Sequence, residues 1–383
     1  MFDFHVKTKI VFGLNSVERL GAEIRAFDAH KVLLVTDKGI IQAGLLEKIT
    51  RPLESADIEF AVFDEIEPNP KDTTILKGAQ CMQDTQADVF IGLGGGSPMD
   101  AAKAIAVMAV NEEPIEQYCG VGTDPWPVPP KPVVAIPTTA GTGSEVSAAA
   151  MVNIVSKARK MDMFGRSIEP SVAILDPLLT VGLPPHLTAW TGIDALSHAL
   201  EAYVAKYANP ITDALAEKAI QLVADNLRQA YANGENLEAR SNMLLASTMA
   251  VMAAAAGLGT VHSMAQTMGG YYDMPHGLSI AVCFPVGVLY NLFAAPEKYA
   301  RVSQLLGTNT NGMNTIAAAK TVVPAIRELL DDVGVTDDMR SLGVREADIP
   351  ELAEICMLDG CTPTNPRPID VRGFAALFER SLN

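Results

Sequence analysis

The chain has 383 residues, enough at about 150 residues per domain for two or three domains with cores of their own, which excludes a small disulfide-stapled scaffold. Hydrophobic residues make up 49% and charged residues 19%, a balance that leaves no room for long disordered tracts. The net charge of -16, from 45 Asp+Glu against 29 Lys+Arg, repels phosphate backbones and anionic headgroups, so neither nucleic acid nor a membrane surface is an expected partner.

Residues 1–9 carry charge and no apolar run, so no signal peptide is expected. Strand patterns at 31–37, 58–64, 89–94 and 132–137 alternate with helical spacing at 16–27, 45–53, 73–84 and 97–109, with Asn15 or Ser16 and Ser97 as N-caps. Alternation of this kind predicts parallel strands joined by crossover helices, a doubly wound α/β domain. The strand signal stops near Leu183, and 187–207, 211–232, 237–256, 316–333 and 348–359 all read as helices. Pro177, Gly182, Pro184 and Pro185 punctuate the passage between the two patterns, giving domains at 1–182 and 183–383. Two apolar runs are expected in the core: 249–259 is too short for the roughly 20 residues a bilayer needs, and 280–296 is interrupted by Pro285, Gly287 and Asn291. Cys81, Cys119, Cys283, Cys356 and Cys361 are odd in number and widely spaced with no C-x-x-C pair, which suits reduced thiols in a cytoplasm.

Gly94-Gly95-Gly96-Ser97 ends a predicted strand and opens a helix, where bare backbone N–H groups and the helix dipole face an anion such as a pyrophosphate. Lacking the full G-x-G-x-x-G spacing, these residues alone read equally well as a tight turn. Asp37 also ends a strand, but ahead of the glycines, the reverse of the usual dinucleotide order. It is either a surface residue or a ribose ligand, and as a ribose ligand it would oppose a 2'-phosphate and favour NAD over NADP. The loop Pro137-Thr138-Thr139-Ala140-Gly141-Thr142-Gly143-Ser144-Glu145 is rich in hydroxyls and glycines, as an ordinary loop or a ribose wrap would be.

The histidines are more specific. Asp194 and His198 are one helical turn apart on one face, and His262 and His276 are separated by thirteen residues that include Gly269-Gly270, enough for a helix and a reversing loop. Any one of them alone reads as a hydrogen-bonded core or capping residue. Jointly, one acid and three imidazoles in an apolar helical domain suit a divalent ion, Fe(II) or Zn(II), with a position left for substrate, because such side chains are seldom buried without a partner.

With these motifs the chain resembles the iron-containing (group III) alcohol dehydrogenases, a family that includes lactaldehyde reductases and 1,3-propanediol dehydrogenases. The resemblance runs over essentially the whole chain and is carried by Gly94-Gly95-Gly96-Ser97-Pro98-Met99-Asp100, the 137–145 loop, Gly192-Ile193-Asp194-Ala195-Leu196-Ser197-His198-Ala199-Leu200-Glu201 and the 262–277 segment. It implies a dehydroquinate synthase-like fold, with an α/β nucleotide-binding domain, an all-helical metal-binding domain and the site between them. It further implies NAD(H)-linked hydride transfer between a short-chain primary alcohol or diol and its aldehyde. The metal is then held by Asp194, His198, His262 and His276, and the cofactor by Asp37, Asn69, Gly95, Gly96, Ser97, Thr138, Thr139, Thr142 and Lys160, with Asn69 matching a Pro68-Asn69-Pro70 element. A homo-oligomer, dimer or larger, is expected.

Many relatives carry a further histidine four residues after the third ligand, and this chain has Gln266 there. Beside His262 and His276 it is a candidate catalytic residue that can orient a water or the nicotinamide amide but cannot shuttle a proton. The substrate positions implied by the family are Ala149, Ala253 and Cys361, all small. A lyase of the dehydroquinate synthase type would need several cations for its phosphorylated, carboxylated substrate, yet only Lys206, Lys218, Arg228 and Arg240 are basic between Asp194 and Pro296. A catalytically silent assembly protein has Gln266 in its favour and four intact metal positions against it.

Overall fold

The computed structural model describes residues 1–157 and 159–382. Its chain divides into two compact units, one of His5–Thr139 with Gly143–Leu183, the other of Met1–Phe4, Ala140–Thr142 and the chain from Pro184 onward.

The first unit is built on β1 (Lys9–Phe12), β2 (Lys31–Val35), β3 (Glu59–Phe63), β4 (Val89–Gly94), β5 (Val133–Pro137), the antiparallel hairpin β6 (Ala149–Ile154) and β7 (Arg159–Phe164), and β8 (Val172–Leu175). Six of these strands form one parallel sheet in the order β1-β8-β5-β4-β2-β3. Helices α1 (Leu20–Arg25), α2 (Lys38–Gln42), α3 (Leu45–Ser55), α4 (Asp72–Thr85) and α5 (Gly96–Met108) lie between strands in the chain. Val32, Leu34, Val89, Ile91 and Leu93 enter one core with Leu20, Ile24, Ile49 and Leu53, whereas Leu33, Val35 and Phe90 enter another with Ile105 and Met108. Burial on both faces is what makes these strands read as unbroken apolar runs.

From β2 the chain passes outward to β3, and from β4 it passes to β5 on the opposite side. The carboxyl ends of β2 and β4 therefore flank the point where the strand order reverses, the crevice in which open α/β sheets bind ligands. Strands at 9–12, 149–154, 159–164 and 172–175 add to the four predicted. The helix expected from Ser97 starts at Gly96 with Gly95 as its N-cap, so Ser97 lies inside the first turn.

The second unit holds α6 (Pro185–Val204), α7 (Pro210–Ala232), α8 (Leu237–Ala253), α9 (Thr260–Tyr272), α10 (His276–Asn291), α11 (Pro296–Leu305), α12 (Thr315–Lys320), α13 (Val322–Asp332), α14 (Ile349–Cys356) and α15 (Val371–Ser381). The stretch at 316–333, expected as one helix, is parted at Thr321, because Pro324 has no N–H to give and its ring meets the carbonyl four residues back. Pro285, expected to interrupt the apolar run at 280–296, instead lies inside α10. Among the described residues, His276–Ala294 is long and apolar enough to cross a membrane, but two-thirds of it, 67%, is buried inside the fold. Ile280, Cys283, Phe284 and Val288 of this helix join Ile193, Leu196, Val223 and Met264 in one core.

Candidate metal and nucleotide sites

At the metal position, α6 supplies Asp194 and His198, α9 supplies His262, and His276 is the first residue of α10. Gly269 and Gly270 lie within α9, and the chain reverses instead at Asp273, which adopts φ 54°. Close approach of α10 to α6 depends on Gly277, where a Cβ would stand 2.7 Å from the Trp190 carbonyl oxygen. His262 Nε2 and His276 Nε2 each lie 3.7 Å from Asp194 Oδ1, and one ligand atom from each of the three residues falls within 4.8 Å of the others. Bonds of about 2.1 Å in a tetrahedral array put donors roughly 3.4 Å apart, so this oxygen and two imidazole nitrogens fit a divalent first-row ion.

His198 lies beside this cluster. Its Nδ1 is 3.0 Å from the Asp194 carbonyl oxygen and 3.3 Å from Oδ1, and its ring centroid is 4.2 Å from that of His262. Burial pulls its imidazole down to about 4, partly offset by Asp194, so at neutral pH it is in the uncharged form that ligates metals. Gln266, one turn beyond His262, directs Nε2 at Cys361 Sγ, 3.7 Å away.

Two buried residues that the motif analysis left without a role adjoin these sites. Glu201 lies two turns after Asp194 and 3% exposed, with His262 Nδ1 2.5 Å from its Oε2. Burial pushes its carboxyl up to about 8 against the pull of backbone N–H groups, and a cation on His262 Nε2 would place the proton on Nδ1 and favour the carboxylate. The spacing of 194, 198 and 201 along one helix face was a legible signal for it. Lys103, fully buried on α5, gives its Nζ to Ser144 Oγ and the Ala149 carbonyl, both at 2.8 Å, and to Asp100 Oδ1 at 3.3 Å. It thereby ties α5 to the hydroxyl-rich loop and to the start of β6.

The nucleotide candidates gather at the carboxyl end of the sheet. Gly94, at φ 142°, turns the chain out of β4, and no side chain caps the N-terminus of α5, leaving backbone N–H groups for an anion. A Cβ on Gly94 would come 3.5 Å from Asp37 Oδ2, and one on Gly95 3.6 Å from Thr139 Oγ1, so Asp37, Gly95, Gly96, Ser97 and Thr139 surround one bare stretch of backbone. Thr138 N–H donates to the Gly94 carbonyl at 2.9 Å. Among the described residues Thr139 Oγ1 is buried with no hydrogen-bond partner, and Asp37 Oδ1 already accepts the Ile40 N–H at 3.0 Å, leaving Oδ2 toward Gly94. These features fit a dinucleotide. Lys160 Nζ donates to Asn69 Oδ1 at 3.1 Å, joining β7 to the loop after β3. Thr142 groups with the helical unit through the short stretch Ala140–Thr142.

Family models for iron-containing alcohol dehydrogenase match residues 7–177, and for the Fe-containing alcohol dehydrogenase family, C-terminal, residues 188–382. The chain belongs to the iron-containing alcohol dehydrogenase family. It is 46% identical over 386 residues to the 1,3-propanediol dehydrogenase of Klebsiella pneumoniae, covering 100% of this chain and 99% of that protein. The NAD-dependent methanol dehydrogenase of Bacillus methanolicus is 39% identical with 100% of both chains covered. A crystal structure of 1,3-propanediol oxidoreductase superposes with a TM-score of 0.96 at 44% identity over 100% of each chain. This iron-containing alcohol dehydrogenase is thus an NAD-linked oxidoreductase working between alcohols and aldehydes, a reading favoured over the lyase and silent-assembly alternatives.

Proposed function

We propose that this enzyme interconverts a short-chain primary alcohol or diol with its aldehyde, working as a cytoplasmic homo-oligomer. Full-length identity of 46% to an enzyme named 1,3-propanediol dehydrogenase carries the substrate reading, and the small side chains at Ala253 and Cys361 are consistent with it.

In this reading Asp194, His262 and His276 hold the cation, and His198 completes the set through Nε2, the nitrogen left over when Nδ1 bonds to the Asp194 carbonyl. The cation held there would supply Lewis acidity toward the alcohol or carbonyl oxygen, and the bound nicotinamide would supply the hydride acceptor or donor. The Asp194 carboxylate offsets the ion's charge and fixes where it sits. Gln266 orients a water or the nicotinamide amide but accepts no proton, so the hydroxyl proton leaves to water. Asp37 takes the adenosine ribose hydroxyls, the N–H groups at Gly95, Gly96 and Ser97 take the pyrophosphate, and Thr138, Thr139, Thr142, Asn69 and Lys160 make the remaining cofactor contacts.

The test is NADH oxidation with added Fe(II) across acetaldehyde, propanal, 3-hydroxypropanal, lactaldehyde and acetone. The highest kcat/KM is expected for a short aldehyde or hydroxyaldehyde. A preference for the ketone, or no turnover with any aldehyde, would overturn the proposal.

A further inference from the structure

Glu201 is held at more points than a core carboxylate needs. Oε1 accepts the Val261 N–H at 2.9 Å, Oε2 accepts the His262 N–H at 3.2 Å, and Oε2 also meets His262 Nδ1 at 2.5 Å. The first N–H groups of a helix have no partner within it, and a carboxylate there is favoured by the helix dipole, which accounts for the two backbone bonds. The third bond, to the ring, needs another reason. Gly259, just before α9, has no room for a side chain, since a Cβ would stand 2.9 Å from Glu201 Oε1, so the helix start is pressed onto this carboxylate. Glu201 also belongs to α6, the helix that carries Asp194 and His198.

A neutral imidazole has one nitrogen that donates and one that accepts, and the partner of one nitrogen decides which is which. A carboxylate at Nδ1 keeps the proton there and leaves the lone pair on Nε2, the nitrogen that faces Asp194 Oδ1. We infer that Glu201 is a positioning residue for the cation site, fixing the ring orientation of His262 and, as the carboxylate, its tautomer. This rests on the reading of His262 as a metal ligand. Partners of this kind behind a ligating histidine typically change metal affinity about 10–100-fold when removed.

The experiment strips metal from the wild type, Glu201→Gln, Glu201→Asp and His262→Ala with a chelator, then titrates each with Co(II) by visible absorption, recording the melting temperature of the metal-free protein alongside. Glutamine puts an NH2 where two donors converge, so Glu201→Gln is expected to bind Co(II) about 10–100-fold more weakly, with Glu201→Asp recovering part of the loss because a carboxylate is restored. His262→Ala should lose at least as much. If His262→Ala binds like the wild type, the ligand reading fails and the inference with it. If His262→Ala loses affinity while Glu201→Gln keeps it, Glu201 only caps α9 and the inference alone is overturned, whatever happens to the melting temperature. A second measurement needs no Glu201 variant: with six histidines in the chain, the imidazole 15N shifts of labelled, metal-free protein at about pH 9, where Glu201 is the carboxylate, report each tautomer, and His262→Ala assigns the signal. A proton on Nδ1 supports the inference, and a proton on Nε2 refutes it.

Discussion

Asp37 does two jobs at the end of β2, and replacing it with Asn separates them. Oδ1 caps α2 through the Ile40 N–H at 3.0 Å, and Asn caps a helix about as well as Asp, so Asp37→Asn should leave the melting temperature nearly unchanged. Asp37→Ala should cost about 1 kcal/mol, on the order of 2–4 °C for a unit of this size. The second job falls to Oδ2, which faces the bare backbone at Gly94 and, in the proposed cofactor pose, accepts ribose hydroxyls. Hydrogen bonds to a charged partner contribute about 1.5–3 kcal/mol and neutral ones about 0.5–1.5, so losing the charge should remove about 1 kcal/mol, roughly a fivefold fall in kcat/KM for NADH. Loss of the same charge ends its opposition to a 2'-phosphate, so NADPH should improve and the NADH-to-NADPH ratio of kcat/KM should fall by about tenfold or more, the fivefold loss for NADH compounded by the gain for NADPH. The assay is that ratio in wild type, Asn and Ala variants with a fixed aldehyde. An unchanged ratio in Asp37→Asn would reduce Asp37 to a helix cap.

Gly277→Ala should drive α10 away from the Trp190 carbonyl and carry His276 with it, costing about 1–3 kcal/mol from overpacking and weakening cation affinity; a titration matching wild type would show that the close approach does not set the site. Lys103→Met leaves Asp100 without its buried cation, a loss of about 3 kcal/mol that thermal denaturation should register, and an unchanged melting temperature would contradict it. Gln266→His should add a group titrating near a pKa of about 6.5 and a new inflection in the kcat–pH profile, while Gln266→Ala should cost on the order of 1 kcal/mol in activity. A thousandfold loss in Gln266→Ala would mean the amide holds the nicotinamide or a catalytic water.

The sheet was most legible where its strands are buried on both faces. The 89–94 run of Val, Phe, Ile and Leu matches β4 residue for residue, and the helices that follow it carry clear apolar spacing. β1 and β8 were missed because four residues each give too short a signal, and β1 lies at the sheet edge with only Val11 buried. The β6–β7 hairpin was missed because Ala, Asn, Lys and Asp are depleted in strands, and what holds them is the cross-strand pairing that runs from Ile154 opposite Arg159 to Ala149 opposite Phe164. At the metal position, the types and spacing of Asp194, His198, His262 and His276 pointed to one ion, and the structure brings a ligand atom each from Asp194, His262 and His276 within 4.8 Å of one another. Spacing puts Glu201 on the helix face of Asp194 and His198, but it could not tell that this carboxylate meets His262, that His198 turns Nδ1 onto its own helix, or that Lys103, sitting in ordinary helical pattern, is tied to Ser144 and Ala149.

Metal dependence tests the proposed chemistry most directly. Protein stripped with a chelator and assayed by NADH oxidation with a short aldehyde should show background turnover, and adding Fe(II) should restore the rate until the site is filled. His276→Ala treated in the same way should stay near background at the Fe(II) concentration that saturates the wild type. Metal-free protein that turns over at the full rate, or a His276→Ala enzyme restored like the wild type, would contradict hydride transfer at a cation held by Asp194, His262 and His276.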